Sequence, residues 1–600
     1  MSLIKNLLSF LKKSDLPFIV LLVLMMVSTA IIEFVGIGLL FPYIKILSDP
    51  HFIHDNHFLN KIYDYLKFSS ERQFLLFLGI FILLMVVLKG IMNVINIYAQ
   101  SRLTHRIAGR LSECCITEVM SLSYEKLIEK NSALSSKKLL VDVSNIVFVL
   151  HSFLTIMADV MVSIFLIALL VMISPGIVLV VFGSIVLLLF FTVSFTKKSM
   201  RQLSISKEYC ERQSFQTAAE AFRVLKEAKV YHLESYFITR CLQWRHQLSR
   251  HVIGMNVIGL IPSNILSVSG FAALLVIILY LISQQGGLNA ILPTIGLLVV
   301  SLQRFLPLAS RISDHIGIIR QYIPSVDTLA QIILKFSKTV HSTTAKKDSN
   351  KKRSFNNKLV LSHISYRYPG QQNYALKEVS FTIERGKCFG IVGESGAGKS
   401  TLVDLLLGLL PAESGSVYWD EQKVVLKKNS FLSRGVSYVP QRVFLLDATI
   451  LENIILGIDP AAIDETLLNR AIAIAQLGKF LQDQPRGLDT IVGEGGVKIS
   501  GGERQRIGIA RALYRNHEVI ILDEATNALD GSLEKEFNDH LKALLPQKTI
   551  IIIAHRISAV SLCDQIIQLE KGRIIASGSY QHLASSSASF RRIYNLAEID

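Results

Sequence analysis

The sequence predicts a polytopic α-helical membrane domain, with six transmembrane helices, fused to an α/β domain built around a phosphate loop. Apolar runs crowd the first 336 residues, a glycine-rich loop ends in Lys-Ser at 399–400, and a polar stretch divides the two regions. Composition agrees: half of the 600 residues are apolar, 18% are charged and mean hydropathy is +0.43, whereas soluble domains carry about 25% charged residues. The break in composition sets the expected boundaries at 1–336 for the membrane domain, 337–358 for a flexible linker rich in Ser, Thr, Lys and Asn, and 359–600 for the second domain.

The apolar runs fall at 17–43, 74–98, 147–173, 176–195, 252–283 and 288–308, each near the roughly 20 residues that a bilayer core demands. The third and fourth meet at Ser174-Pro175-Gly176, and the fifth and sixth at a Gln-Gln-Gly-Gly turn; neither turn holds Lys or Arg. The loops on the other side carry Arg102, Arg106, Arg110, Lys197, Lys198 and Arg201 among their cations, so these loops, both termini and the second domain are expected in the cytoplasm. The net charge of +16 then follows from topology and anionic lipid headgroups, with no nucleic-acid partner.

Several stretches carry their own expectations. The first run, preceded by Lys5, Lys12 and Lys13, is too long for a secretory signal; before it, Ile4, Leu7, Leu8 and Leu11 recur at helical spacing, as in a helix lying in the membrane interface. On the outer side, Phe58, Leu59, Ile62 and Leu66 mark an amphipathic helix, either packed on the bundle or touching lipid tails. The long inner loops read as continuing helices, with 123–130 and 221–227 as candidate contacts to the second domain. Six scattered cysteines, none at metal-ligand spacing, are expected as free thiols.

The chemistry sits in the second domain. Gly393-Glu394-Ser395-Gly396-Ala397-Gly398-Lys399-Ser400 fits G-x-x-x-x-G-K-S, in which backbone N–H groups wrap phosphates, the lysine reaches the terminal phosphates and the serine hydroxyl holds Mg²⁺. An apolar strand precedes it and an amphipathic helix follows, presenting its N-terminus to the anion. A second buried strand, Val519-Ile520-Ile521-Leu522-Asp523-Glu524, delivers two adjacent carboxylates, one suited to Mg²⁺ and one to polarising water. Gln441 ends a short apolar strand, His555 follows another, and Tyr368 offers a ring to a nucleobase.

With Ser500-Gly501-Gly502-Glu503 and Ala528-Leu529-Asp530 added in order, the chain resembles an ATP-binding cassette (ABC) transporter of the exporter type, one membrane domain fused to one cytoplasmic α/β P-loop ATPase domain. The resemblance implies that Tyr368 stacks on adenine and that Gly393, Glu394, Ser395, Gly396, Ala397, Gly398, Lys399, Ser400 and Thr401 cradle the phosphates of ATP. It assigns Mg²⁺ to Ser400, Gln441 and Asp523, the general base to Glu524, the switch role to His555 and signalling across a dimer to Asp530. Ser500, Gly501, Gly502 and Glu503 would face the γ-phosphate bound by the other subunit, so a homodimer is expected, with a heterodimer open. Ile499, Glu503 and Asn527 depart from the usual Leu, Gln and Ser without removing a phosphate ligand or the base.

The cargo must be read from the membrane half, where Glu33, Lys89, Asp159, Arg304 and Arg311 are ionisable. Such groups cost about 2.5–3.5 kcal/mol on insertion and face a cavity or a partner. Ile32-Glu33 before Leu39-Leu40-Phe41-Pro42, the outer helix, Lys89, and Leu302-Gln303-Arg304-Phe305-Leu306-Pro307 with Arg311 are similar to the lipid-linked oligosaccharide flippases of bacterial protein N-glycosylation. That resemblance implies a bacterial cytoplasmic (inner) membrane and pyrophosphate attraction by Lys89, Arg304 and Arg311; Pro262-Ser263-Asn264, without arginine, departs from it. The expected function is ATP-driven flipping of a polyprenyl-pyrophosphate oligosaccharide. The alternative is export of drugs, other lipids or hydrophobic peptides, with an ATP-gated channel as the reading from a different class. The absence of a peptidase domain before the first span speaks against peptide processing.

Overall fold

The computed structural model describes residues 2–48, 52–129, 132–173, 175–283, 288–343, 354–424, 435–526, 531–554 and 556–594. They fall into two compact units, Met1–Leu122 with Lys130–Lys347, and Ser123–Glu129 with Asp348–Asp600. Of the two candidate contact segments, 123–129 groups with the second unit and 221–227 with the first.

The first unit is built on α1 (Leu16–Gly38), α2 (Glu71–Met120), α3 (Val143–Ile173), α4 (Pro175–Arg223), α5 (Glu234–Ser283) and α6 (Leu288–Thr343). Among the described residues, five stretches are long and apolar enough to cross a membrane, Lys13–Leu47, Glu71–Met120, Ser135–Leu169, Gly183–Arg223 and Glu234–Val276. The sixth predicted run, 288–308, opens the 56-residue helix α6, and most of its side chains lie outside the described residues. At 50 residues α2 is about 75 Å long, against a hydrocarbon core of roughly 30 Å, so it continues well past the bilayer. Leu83, Val87 and Val94 on α2 are more than half exposed, as lipid-facing side chains are.

Three details differ from the linear reading. The first run breaks at Leu39, and a second helix, Leu40–Ser48, begins with Pro42 in its first turn, where a missing N–H costs nothing. The expected linker loses its first residues to α6, which runs on to Thr343, because extending an existing helix costs far less than starting one. The segment expected on the outer side forms two helices, Phe52–Asp55 and His57–Tyr65, and buries Ile53 and Leu59 against Phe74 and Leu78, while Leu66 stays exposed: this is the packed alternative. At the N-terminus, helix Ser2–Ser9 is followed by Phe10, and Leu7 and Phe10 are buried against α2, α3 and α6 with Leu8 exposed.

The second unit contains two sheets. A four-stranded antiparallel sheet runs β2-β1-β4-β5, from β1 (Lys358–Tyr366), β2 (Leu376–Glu384), β4 (Ser414–Trp419) and β5 (Gln422–Val424). The six-stranded sheet runs β10-β9-β3-β8-β7-β6, from β3 (Cys388–Val392), β6 (Val436–Val439), β7 (Val519–Asp523), β8 (Thr549–Ile553), β9 (Gln565–Glu570) and β10 (Arg573–Gly578). Its strands are parallel except β10. Both of its faces are covered: Ile520, Leu522, Ile550 and Ile552 enter one apolar core, and Val519, Ile521, Ile551 and Ile553 the other. This explains why β7 and β8 read as unbroken apolar runs rather than alternating ones. Because β3, β7 and β6 are parallel, their C-terminal ends emerge at one edge, and the functional loops follow from those ends.

Candidate functional site

Strand β3 leads through 393–398 into α7 (Lys399–Leu406). Gly393, Gly396 and Gly398 have φ of +152°, +81° and +101°, and a Cβ on Gly398 would stand 2.6 Å from the Ala375 carbonyl oxygen. Only glycine fits there, and the resulting loop turns backbone N–H groups toward the α7 N-terminus, a donor set that fits a polyphosphate. Lys399 is buried, and its Nζ donates to the carbonyls of Gly393 (2.6 Å) and Glu394 (2.9 Å). Burial pulls its pKa down, and Glu524 and Asp523 oppose that fall. The Tyr368 hydroxyl meets the Thr401 hydroxyl at 3.2 Å, and its ring stands edge-on to Tyr366 at 5.1 Å. Tyr366 in turn donates to Glu125 Oε1 at 3.1 Å.

At the end of β7 the two carboxylates are held separately. Tyr438 donates its phenolic O–H to Asp523 Oδ2 at 3.2 Å, and Gln441 Nε2 donates to Glu524 Oε2 at 2.6 Å. Glu524 adopts φ of +50° while its N–H donates to the Ile553 carbonyl at 2.9 Å. A left-handed non-glycine residue costs of order 1–3 kcal/mol and collects at functional sites. Asp404 on α7 is pushed up to about 6 by burial and then by Asp523. Lysine, two half-buried carboxylates and a neighbouring amide form a donor set that suits Mg²⁺ beside phosphate, with Ser400 exposed at the first turn of α7.

Ser500 caps the N-terminus of α8 (Gly501–Tyr514). Its hydroxyl accepts the Glu503 N–H at 3.3 Å, and the Glu503 carboxylate accepts the Ser500 N–H at 2.7 Å. The departure from Gln to Glu at 503 therefore preserves a capping box. Gly501 and Gly502 occupy the first turn. Asp530 and His555 lie outside the described residues.

In the first unit a cavity of about 280 Å³ gathers all five predicted ionisable residues. Lys89 pairs with Glu33, and Arg311 with Asp159 at 2.7 Å. Arg304 lines the same space and makes no ion pair among the described residues, so three cations face two carboxylates. The structure adds Thr29 and Asn96, hydrogen-bonded at 2.7 Å, together with Asn93 and Gln100. These went unread, although Lys89, Asn93, Asn96 and Gln100 follow helical spacing along one face of α2. Tyr438 and Asp404 were missed in the ATP site; the place of Tyr438 in the apolar strand β6, three residues before Gln441, was the signal available.

Known proteins place this architecture. Residues 376–527 match the family described as ABC transporter, and residues 52–305 the family described as ABC transporter transmembrane region. A protein of Pseudoalteromonas atlantica named ATP-dependent lipid A-core flippase is 32% identical over 341 residues, 56% of this chain and 57% of that protein. One of the same name from Coxiella burnetii is 39% identical over 233 residues, 39% of each. The matches thus span little more than half of the first relative and about two-fifths of the second. A solved structure described as a bacterial Atm1-family ABC exporter with ATP bound shares the fold at a TM-score of 0.75, with 21% identity, over 98% of this chain and all of that one. With a matched transmembrane region and a matched ATP-binding domain on one polypeptide, the chain belongs to the ABC transporters and has the fold of an ABC exporter.

Proposed function

We propose that this chain hydrolyses ATP to move an amphiphilic, lipid-linked anion, a polyprenyl-pyrophosphate oligosaccharide, from the inner to the outer leaflet of a bacterial cytoplasmic membrane. The observation that carries the reading is the membrane cavity with its surplus cation, Arg304, among lipid-facing helices. A positive charge on a membrane-spanning helix is costly in hydrocarbon and is offset by an anionic partner. The relatives' name, a lipid flippase, supports lipid over peptide cargo.

In this reading two copies of the chain form a homodimer. Tyr368 stacks on adenine, residues 393–401 hold the phosphates, and Ser400, Gln441 and Asp523 hold Mg²⁺, which neutralises charge on the phosphates. Glu524 takes the proton from the attacking water, with Gln441 orienting the Glu524 carboxylate and His555 opposite the γ-phosphate. Ser500, Gly501 and Gly502 at the α8 N-terminus meet the nucleotide of the partner subunit, with Glu503 holding their cap, and Asp530 lies at the dimer contact. Closing the dimer turns the cavity outward, and hydrolysis resets it.

The test is ATPase activity of the full chain in liposomes with and without a polyprenyl-pyrophosphate saccharide, together with leaflet accessibility of that lipid. Stimulation and ATP-dependent flipping, both lost in Glu524→Gln, are expected. Intact ATPase indifferent to this lipid would transfer the proposal to export of other lipids or drugs.

A further inference from the structure

The ATP site contains a hydrogen bond that the family motifs do not specify. Strand β6 pairs with β7 in parallel, Tyr438 opposite Ile521 and Val439 opposite Leu522. Side chains two apart on a strand share a face, so Tyr438 lies on the same face as Asp523, one step farther along its neighbour. An aromatic ring is long enough to cover that step, and the phenol reaches Asp523 Oδ2 at 3.2 Å. Three residues later Gln441 donates to Glu524. One short segment thus supplies a donor to each of two consecutive carboxylates.

We propose that Tyr438 is a positioning residue for the metal-binding carboxylate: its phenol fixes the orientation of Asp523, so that the divalent cation accompanying nucleotide meets a preset ligand. This rests on the ATP-site reading above. The torsion that turns an aspartate carboxylate is broad, and Asp523 stands among like charges, with Glu524 adjacent and Asp404 near enough to feel it. A carboxylate so placed rotates to relieve repulsion unless a donor holds it. The Tyr438 ring is itself anchored, packed against the apolar core beneath α7. A phenol is protonated at neutral pH and so donates to the carboxylate. Partners behind metal ligands typically change metal affinity by about 10- to 100-fold when removed.

The test compares wild type, Tyr438→Phe and Asp523→Asn as full chains in detergent or nanodiscs. Mn²⁺ binding in the presence of ADP is read by electron paramagnetic resonance, ADP binding in EDTA by competition with a fluorescent nucleotide, and folding by thermal melting. For Tyr438→Phe we expect about tenfold weaker Mn²⁺ binding, with metal-free ADP affinity and melting temperature as in wild type. The ring remains in Phe, so a purely packing role predicts unchanged Mn²⁺ binding. That result, or parallel loss of metal-free ADP binding, overturns the proposal. If Asp523→Asn binds Mn²⁺ as wild type does, the ATP-site reading itself falls and takes Tyr438 with it; the two failures are therefore distinct.

Discussion

The nucleotide site and the membrane cavity both place a lysine beside carboxylates, yet they are assembled in opposite ways. Lys399 finds its carbonyl partners five and six residues away, inside one loop shaped by glycines with positive φ. Lys89 finds Glu33 across 56 residues, and Arg311 finds Asp159 across 152. In the first case backbone geometry makes the site, and side chains complete it. In the second, side chains on separate helices make the site, and the backbone only carries them. A local device tolerates little change at its glycines and acids, whereas a distributed one has partners that can be exchanged together.

The largest expected effect lies at the local site. Glu524→Gln keeps the Gln441 contact possible but removes the proposed base, so turnover should fall by about 10²- to 10⁴-fold, while ATP binding, measured by equilibrium binding, persists. If turnover survives, Glu524 is not the base. The cavity should respond more moderately. Arg304→Ala removes the cation that makes no ion pair among the described residues; a hydrogen bond to a charged group contributes about 1.5–3 kcal/mol, so half-saturation by an anionic lipid should weaken by roughly 10- to 100-fold. Lys89→Ala instead leaves Glu33 without its partner, and a loss of folding yield is expected alongside any loss of transport. Equal behaviour of the two variants would erase the distinction between paired and unpaired cations.

What could be read from the sequence follows the same division. The phosphate loop, the Asp523-Glu524 pair and the strands β3, β6, β7 and β8 were legible because their determinants are contiguous: glycine spacing, a terminal Lys-Ser and unbroken apolar runs. The roles that the resemblance implies for Asp530 and His555 concern residues outside the described ones. The pairings Glu33 with Lys89 and Asp159 with Arg311 were not legible, since helix periodicity gives the face a residue occupies but not the helix it meets. Glu503 shows a third case. It looked like a departure in a binding motif, and its carboxylate is engaged in closing a helix cap.

A smaller effect should come from the contact between Glu125 and Tyr366. The short helix Tyr124–Glu129 groups with the second unit, and the Tyr366 phenol joins it to the ring pair that includes Tyr368. Tyr366→Phe removes one hydrogen bond to a carboxylate and keeps the buried ring. At about 1.5 kcal/mol, the low end for a bond to a charged group, the substrate-stimulated increment of ATPase should fall about tenfold while the basal rate stays. An unchanged increment would show that this bond carries no coupling.

The smallest effect concerns Asp404, where pH separates charge from packing. Burial, reinforced by Asp523, raises its folded pKa to about 6, above the ordinary aspartate value of 3.8. A raised carboxyl pKa means that the fold prefers the protonated form. Asp404 therefore destabilises the domain increasingly as pH rises from 3.8 through 6, and fully above that. The full shift corresponds to about 3 kcal/mol; the group is only partly buried, and solvent screening reduces this to about 1 kcal/mol. Asp404→Asn abolishes the titration at similar volume, so the variant should melt a few degrees higher than wild type at pH 8 without nucleotide or metal, and the gain should shrink toward pH 4. A gain that is the same at both pH values would assign the effect to packing of the amide rather than to the buried charge.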